Sequence, residues 1–464
     1  MGDLWLNFFR TKSIEEYQAD VSTSRLKREM GALDVTMLGI GVIVGTGIFV
    51  LTGVAAAKYA GPALMLSFLI ASVTCAFVSM TYSELAAMVP VAGSAYAYAY
   101  ASVGELLAWL VGWNLVLEYS VGASAVAGGW SAYVVGLLKT AGIELPTAYT
   151  MVPAEGGVLN LPAILITLFL TFLLVRGVHE SVTVNKALVG VKLLAIFIFL
   201  FLAAPSVDVT NWEPFMPFGW AGVSAGAAVI FFAYLGVDSV ATAAEETKNP
   251  ARDMPIGIIA SLLICTLLYI SVTAVMTGNV PYAELDNAEP VAFVLRELGY
   301  RFGSALVGTG AIAGLTTVLL VMMYAQTRAF YAMSRDGLIP RAVCRIHPRY
   351  ATPHRITIIV GLAVALISGF TPINVVAEMC SVGTLFAFII SAVGVMVMRH
   401  RYPDAERPFR CPAVHLMSVL AIVSCGYIMY NLSSMTWERF WIWSAVGLFI
   451  YFVYGYRHSR ENCR

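Results

Sequence analysis

The chain has 464 residues, of which 59% are hydrophobic and 12% charged, and its 28 Lys and Arg balance 28 Asp and Glu. A soluble domain carries about 25% charged residues, so this composition, with a mean hydropathy of +0.79, excludes a soluble globular protein. The chemistry must be sought inside a membrane domain.

The first thirty residues hold Arg10, Lys12, Arg25, Lys27 and Arg28 ahead of any long apolar run. No small-residue cleavage site follows a short apolar region, so this segment is expected to be retained and cytoplasmic. Apolar runs then recur along the chain, each long enough to cross a hydrocarbon core about 30 Å thick. They predict an all-α integral membrane protein of about twelve transmembrane helices, near 33–57, 63–88, 104–137, 158–176, 183–203, 221–244, 255–279, 300–332, 354–370, 374–398, 412–432 and 437–456. The organisation read from them is a cytoplasmic segment 1–30, a ten-span core 31–398, and 399–464 with two further spans and a cytoplasmic C-terminus.

With that topology, 22 of the 28 Lys and Arg are cytoplasmic, 5 are outside (Lys58, Lys139, Arg296, Arg301, Arg439) and one, Lys192, lies within a span. This asymmetry obeys the positive-inside rule and suits a bacterial inner membrane. The basic loops Arg328–Arg355 and Arg399–Arg410 need only set topology, so nucleic-acid binding is not implied. Seven scattered cysteines give neither a disulfide framework nor a metal site. No HExxH, nucleophile elbow or Walker motif is present, so an enzyme, an ATP-driven pump and a bound cofactor have no support.

Two spans are interrupted by glycine and polar residues. The first contains Leu38–Phe49 (LGIGVIVGTGIF), the sixth Phe231–Val240 (FFAYLGVDSV), and they stand five spans apart. Broken helices at corresponding positions of two halves point to a secondary transporter with inverted repeats and a midplane site. Spans one to five and six to ten would be the repeats, with eleven and twelve as peripheral additions.

Gly41 and Gly45 also have the small-residue spacing of close-packed membrane helices, so packing competes with an unwound segment as the reason for these glycines. An unwound segment is tolerated at membrane depth only where it is buried or lines a wet cavity, and its free N–H groups and the following helix N-terminus suit a carboxylate. Thr46 and the amides of Val44–Gly47 would be the donors. Unwinding near Ala233–Gly236 would free carbonyls for an ammonium group, with Phe231, rather than Phe232 and Tyr234 as well, closing over the solute.

Ionisable residues inside a membrane are functional candidates by default. Lys192 lies about 14 Å into its helix, too deep for easy snorkelling, and a lysine held away from water can release its proton near neutral pH. It is expected to couple transport to protons, against the alternative of a permanent ion pair. Glu118 and Asp238 fall within spans three and six as possible side-chain selectors or structural acids. Glu84, Glu245, Glu246 and Lys248 cluster near span ends, where a structural network is expected.

The segments GIGVIVGTGIFV (39–50), YSELAAMVPVAGSAYAYAYASVGE (82–105), FFAYLGVDSVATAAEETKNPARDMPIGI (231–258) and MSRDGLIP (333–340) resemble the amino acid, polyamine and organocation transporter superfamily, in particular bacterial members of its cationic amino acid transporter branch. The likeness runs from about residue 27 to the end. It implies a leucine-transporter-type fold with a 5+5 inverted repeat. It also implies carboxylate binding at Ile43, Val44, Gly45, Thr46 and Gly47, amino-group binding at Phe231, Ala233 and Tyr234, and a coupling lysine at Lys192. Thr317 and Met322 in span eight would line the ion-equivalent site and the side-chain site. The expected function is proton-coupled uptake of L-amino acids, small neutral or cationic, with an exchanger or a transporter-like sensor as alternatives. The expected partners are substrate, proton and surrounding lipid, with no metal; an accessory small membrane subunit leaves no trace in the sequence.

Overall fold

The structure is a computed structural model that describes residues 10–12, 30–89, 94–177, 182–236, 240, 247–287, 289–350 and 352–459. Its helices are α1 (Ala32–Ile43), α2 (Leu64–Met88), α3 (Ser94–Ser102), α4 (Glu105–Thr140), α5 (Leu161–Arg176), α6 (Val182–Ala203), α7 (Gly219–Ile230), α8 (Pro250–Asn279), α9 (Pro290–Glu297), α10 (Arg301–Arg335), α11 (His354–Phe370), α12 (Ile373–Arg401), α13 (Val414–Tyr430) and α14 (Ser434–Ile450). Each predicted apolar interval overlaps one of them, whereas α3 and α9 were not anticipated.

Among the described residues, Glu105–Thr140, Lys186–Ser206, Arg252–Asn279, Arg301–Arg335, Ile373–Arg401 and the run Gly47–Met88 are each long and apolar enough to cross a membrane. Ala32–Ile43, Leu161–Arg176, Gly219–Tyr234 and His354–Phe370 are shorter apolar helices, and α13 meets α14 at 113°. The distribution of side chains is that of a protein in lipid. Phe201, Phe302, Tyr430 and Phe449 are 69–83% exposed, a surface that would aggregate in water, while Lys192, Glu84, Glu118, Asn114 and Gln326 are at most 2% exposed inside the bundle.

Both interruptions predicted from glycine are real breaks. After α1 the chain leaves the helix at Val44 (ψ 98°) and resumes as a π-helical turn over Gly47–Leu51, continuing helically to Ala60. After α7 it tightens into a 3₁₀ turn over Phe231–Tyr234 and leaves the helix at Leu235 (ψ 143°). Gly236 follows with φ +96°, a left-handed conformation that glycine adopts without steric cost.

The end of the bundle that carries Lys12 and Ser459 is closed by buried charge. Glu84, fully buried in α2, accepts from Arg399 Nε at 2.7 Å and Nη2 at 2.8 Å and from the Cys411 amide at 2.7 Å, and Arg407 Nε stands 3.3 Å away. A carboxylate taken out of water is tolerable only with such pairing. Burial presses Arg407, beyond the end of α12, below the usual guanidinium range against the pull of Glu84. This is the structural network expected for Glu84, but its partners are arginines at and beyond the end of α12. Glu245 and Glu246 lie outside the described residues, and Lys248 donates its amide to the Met30 carbonyl at 2.9 Å. Lys12 pairs with Asp336 at 3.4 Å, which also accepts from the Tyr96 hydroxyl at 2.9 Å.

Candidate functional site

The two breaks meet. A Cβ on Gly47 would collide with Cα and Cβ of Ala233, and one on Gly236 would collide with Val42, so the glycines are required at these positions for the first and sixth helices to cross at their unwound points. Gly45 faces Val318 of α10, and the Thr46 methyl faces Gly129 of α4. The segment Ile43–Gly47 thus sits among α4, α8, α10 and the sixth-helix break, all of it buried.

A helix C-terminus leaves its last carbonyls without intrahelical partners, and at the end of α1 two of them are met from elsewhere. Lys192 of α6, 0% exposed, donates from Nζ to the Gly41 carbonyl at 2.7 Å. The negative end of the helix dipole favours a cation there. The aliphatic stem of Lys192 lies against Gly314 of α10, whose carbonyl accepts from the Thr317 hydroxyl at 2.8 Å. Lys192 and Thr317, the residues expected to carry coupling and to line the ion-equivalent site, thus both approach Gly314.

The second carbonyl, Ile43, lies 2.7 Å from the hydroxyl of Tyr269 on α8, and the same hydroxyl lies 2.8 Å from the Ala233 carbonyl. One phenol thereby bridges both breaks, a role that nothing in the sequence marks. Tyr269→Phe removes the bridge and should weaken substrate binding about threefold to tenfold, since a hydrogen bond contributes about 0.5–1.5 kcal/mol, with the fold retained. Binding titration of the purified variant checks it; an unchanged affinity would show the bridge to be idle.

Thr46 differs from these groups. Its Oγ1 is buried, the residue being 2% exposed, and it has no hydrogen-bond partner among the described residues. Buried polar groups are nearly always paired, and an orphan hydroxyl costs about 1–3 kcal/mol. The Thr46 hydroxyl at the start of the second half-helix is thus a buried donor with no acceptor among the described residues.

Phe231, fully buried, meets Phe388 of α12 edge-on with ring centroids 6.2 Å apart. Tyr234 turns toward α2 and α8 instead, its hydroxyl donating to the Phe68 carbonyl at 3.0 Å and lying 3.2 Å from Thr266 Oγ1. Only its backbone can therefore serve the break in this conformation. Met322 lies beside Gly122, which also faces Cys380, and the Cys380 thiol donates to the Glu118 carbonyl at 3.1 Å. Met322, Gly122, Cys380 and the Glu118 carbonyl pack together where α10, α12 and α4 meet. Asp238 lies outside the described residues, and among those no group of His, Cys, Asp and Glu is arranged to hold a metal ion.

Comparison with known proteins bears on this arrangement. Residues 30–453 match the family model described as amino acid permease. The chain is 46% identical over 460 residues to the branched-chain amino acid permease BcaP of Bacillus subtilis, covering 98% of this chain and 99% of that protein. It is 44% identical over 458 residues to the methylthioribose transporter of the same organism, covering 98% and 99%. Human cationic amino acid transporter 4 is 30% identical over 579 residues, covering 98% of this chain and 91% of that protein. With two breaks crossing inside an apolar bundle and likeness along its whole length, the chain belongs to the amino acid permease family of the amino acid, polyamine and organocation superfamily: it is a multi-pass membrane amino acid transporter and not an enzyme.

Proposed function

We propose that the protein imports neutral aliphatic L-amino acids together with protons, by rocking two inverted five-helix repeats, spans one to five and six to ten of a twelve-span chain, around the crossed breaks. The sidedness of Lys and Arg supports both termini in the cytoplasm. In this reading the substrate carboxylate takes the Thr46 hydroxyl and the amides of Ile43–Gly47, and the ammonium takes carbonyls freed at Phe231–Tyr234. Phe231 closes over the solute. Lys192 exchanges its proton as the bundle changes face, and its bond to Gly41 lets that exchange be felt at the end of α1.

The observation that carries the proposal is the unpartnered hydroxyl of Thr46, a donor held in place before its ligand arrives. Preorganised donors bind without the cost of ordering them. The cluster of Met322, Gly122 and Cys380 is apolar, which favours an aliphatic side chain, and the likeness to a permease named for branched-chain amino acids supports it.

Competition against bound radiolabelled leucine tests this reading on the purified protein. Leucine and alanine should displace the label, leucinamide, which lacks the carboxylate, should fail to do so, and arginine should compete weakly. Leucinamide competing as well as leucine, or methylthioribose outcompeting every amino acid, would overturn the assignment.

A further inference from the structure

The outward halves of both broken helices are tied by single hydroxyls to a fixed part of the bundle. In the first helix, Tyr59 donates to Glu378 of α12 at 3.4 Å. The same carboxylate accepts from Ser433 and from Thr436, the latter at 2.6 Å, both at the turn into α14. In the sixth, Ser224 of α7 shares a hydrogen bond of 2.5 Å with Tyr427 of α13. The two halves also touch each other, since a Cβ on Gly222 would strike the Tyr59 carbonyl.

The receiving side is rigidly mounted. Trp113 of α4 and Trp443 of α14 exchange indole-to-carbonyl hydrogen bonds of 2.9 Å and 3.1 Å with their rings stacked at 4.5 Å. Trp109 donates to the Gly447 carbonyl at 2.9 Å, and Tyr451, just past α14, donates to Glu105 at 2.9 Å. Helix α14 is thus fastened to α4 along its length.

We infer that the C-terminal hairpin α13–α14, together with Glu378, is the stop against which the outward halves of both broken helices close, with Tyr59 and Ser224 as its latches. The inference rests on the rocking transport proposed above. Ser433 and Thr436 keep Glu378 hydrogen-bonded whichever way the bundle faces, so the buried acid is never stranded when Tyr59 leaves. The Tyr59 bond lies at the long end of hydrogen-bond geometry, which suits a contact broken in every cycle. A buried ion pair at that place would be costly to separate.

Tyr59→Phe and Ser224→Ala, made singly in the full-length chain in lipid nanodiscs without substrate, test the inference by hydrogen exchange. Losing one hydrogen bond, a long one in the case of Tyr59, should open each latch about threefold to tenfold more often. Exchange should rise by that factor at 47–60 in Tyr59→Phe and at 219–230 in Ser224→Ala, while 434–450 is unchanged. Uptake by the same variants should show a lower KM, because more of the protein faces outward and is competent to bind. Unchanged exchange in both outward halves, or an equal rise at 434–450, would overturn it. If Tyr59→Phe does not yield folded protein, Ser224→Ala decides alone. Because exchange is read without substrate, its outcome stands apart from the leucine competition, which tests the transport reading itself.

Discussion

Replacing Lys192 with methionine is expected to abolish proton-gradient-driven accumulation of amino acid while leaving substrate binding measurable. Methionine keeps an unbranched apolar chain against Gly314 and removes the charge that meets the Gly41 carbonyl. A buried ammonium is costly to maintain and is sensitive to its surroundings, so a change in the end of α1 and the protonation of Lys192 must influence each other equally. If Lys192 carries the coupling proton, the gradient then has nothing to act on, and only downhill flux or exchange remains. Uptake into proteoliposomes with and without an imposed gradient measures this. Gradient-driven uptake equal to that of the unsubstituted protein would remove Lys192 from the coupling step.

Thr46→Val is expected to weaken binding of every amino acid substrate alike, by about tenfold to a hundredfold, the loss of a hydrogen bond to a charged group being about 1.5–3 kcal/mol. The same change should not lower thermal stability. The hydroxyl makes no hydrogen bond among the described residues, so valine removes a buried polar atom and keeps the shape. Affinity and stability moving in different directions separates a ligand-binding hydroxyl from a structural one. A loss confined to one class of side chain, or a matching loss of stability, would contradict carboxylate binding at this residue. Isothermal titration and thermal unfolding on the same samples suffice.

The helices were legible because a bilayer demands long apolar runs and leaves little else to read. The short helices were not. In α3 the alternation SAYAYAYAS carries no long apolar stretch, and the hydroxyls of Tyr96 and Tyr100 are buried with Asp336, far along the chain, and Glu105, across a turn, as their acceptors. Helix α9 is a short amphipathic helix of about two turns that starts at Pro290, with Val291, Val294 and Leu295 inward. The breaks were legible from glycine because close crossing of backbones needs the absence of a Cβ, and Gly47 against Ala233 is such a crossing.

Within the site, Thr46 and Lys192 stood out as a hydroxyl beside glycines and a charge at depth. Their surroundings could not be read in the same way. The partner of Lys192 is a backbone carbonyl, which has no side-chain signature, and Tyr269 is one of 22 tyrosines, distinguished only by where α8 places it. Glu378 was overlooked for a similar reason, since its hydroxyl partners come from positions 59, 433 and 436, which only the folded chain brings together.

Uptake of radiolabelled leucine into proteoliposomes holding the purified protein, with an inward proton gradient imposed and then collapsed, tests the account most directly. Accumulation above the outside concentration that disappears with the gradient is the predicted result. Leucine flux that ignores the gradient and requires amino acid preloaded inside would contradict proton-coupled import and make the protein an exchanger.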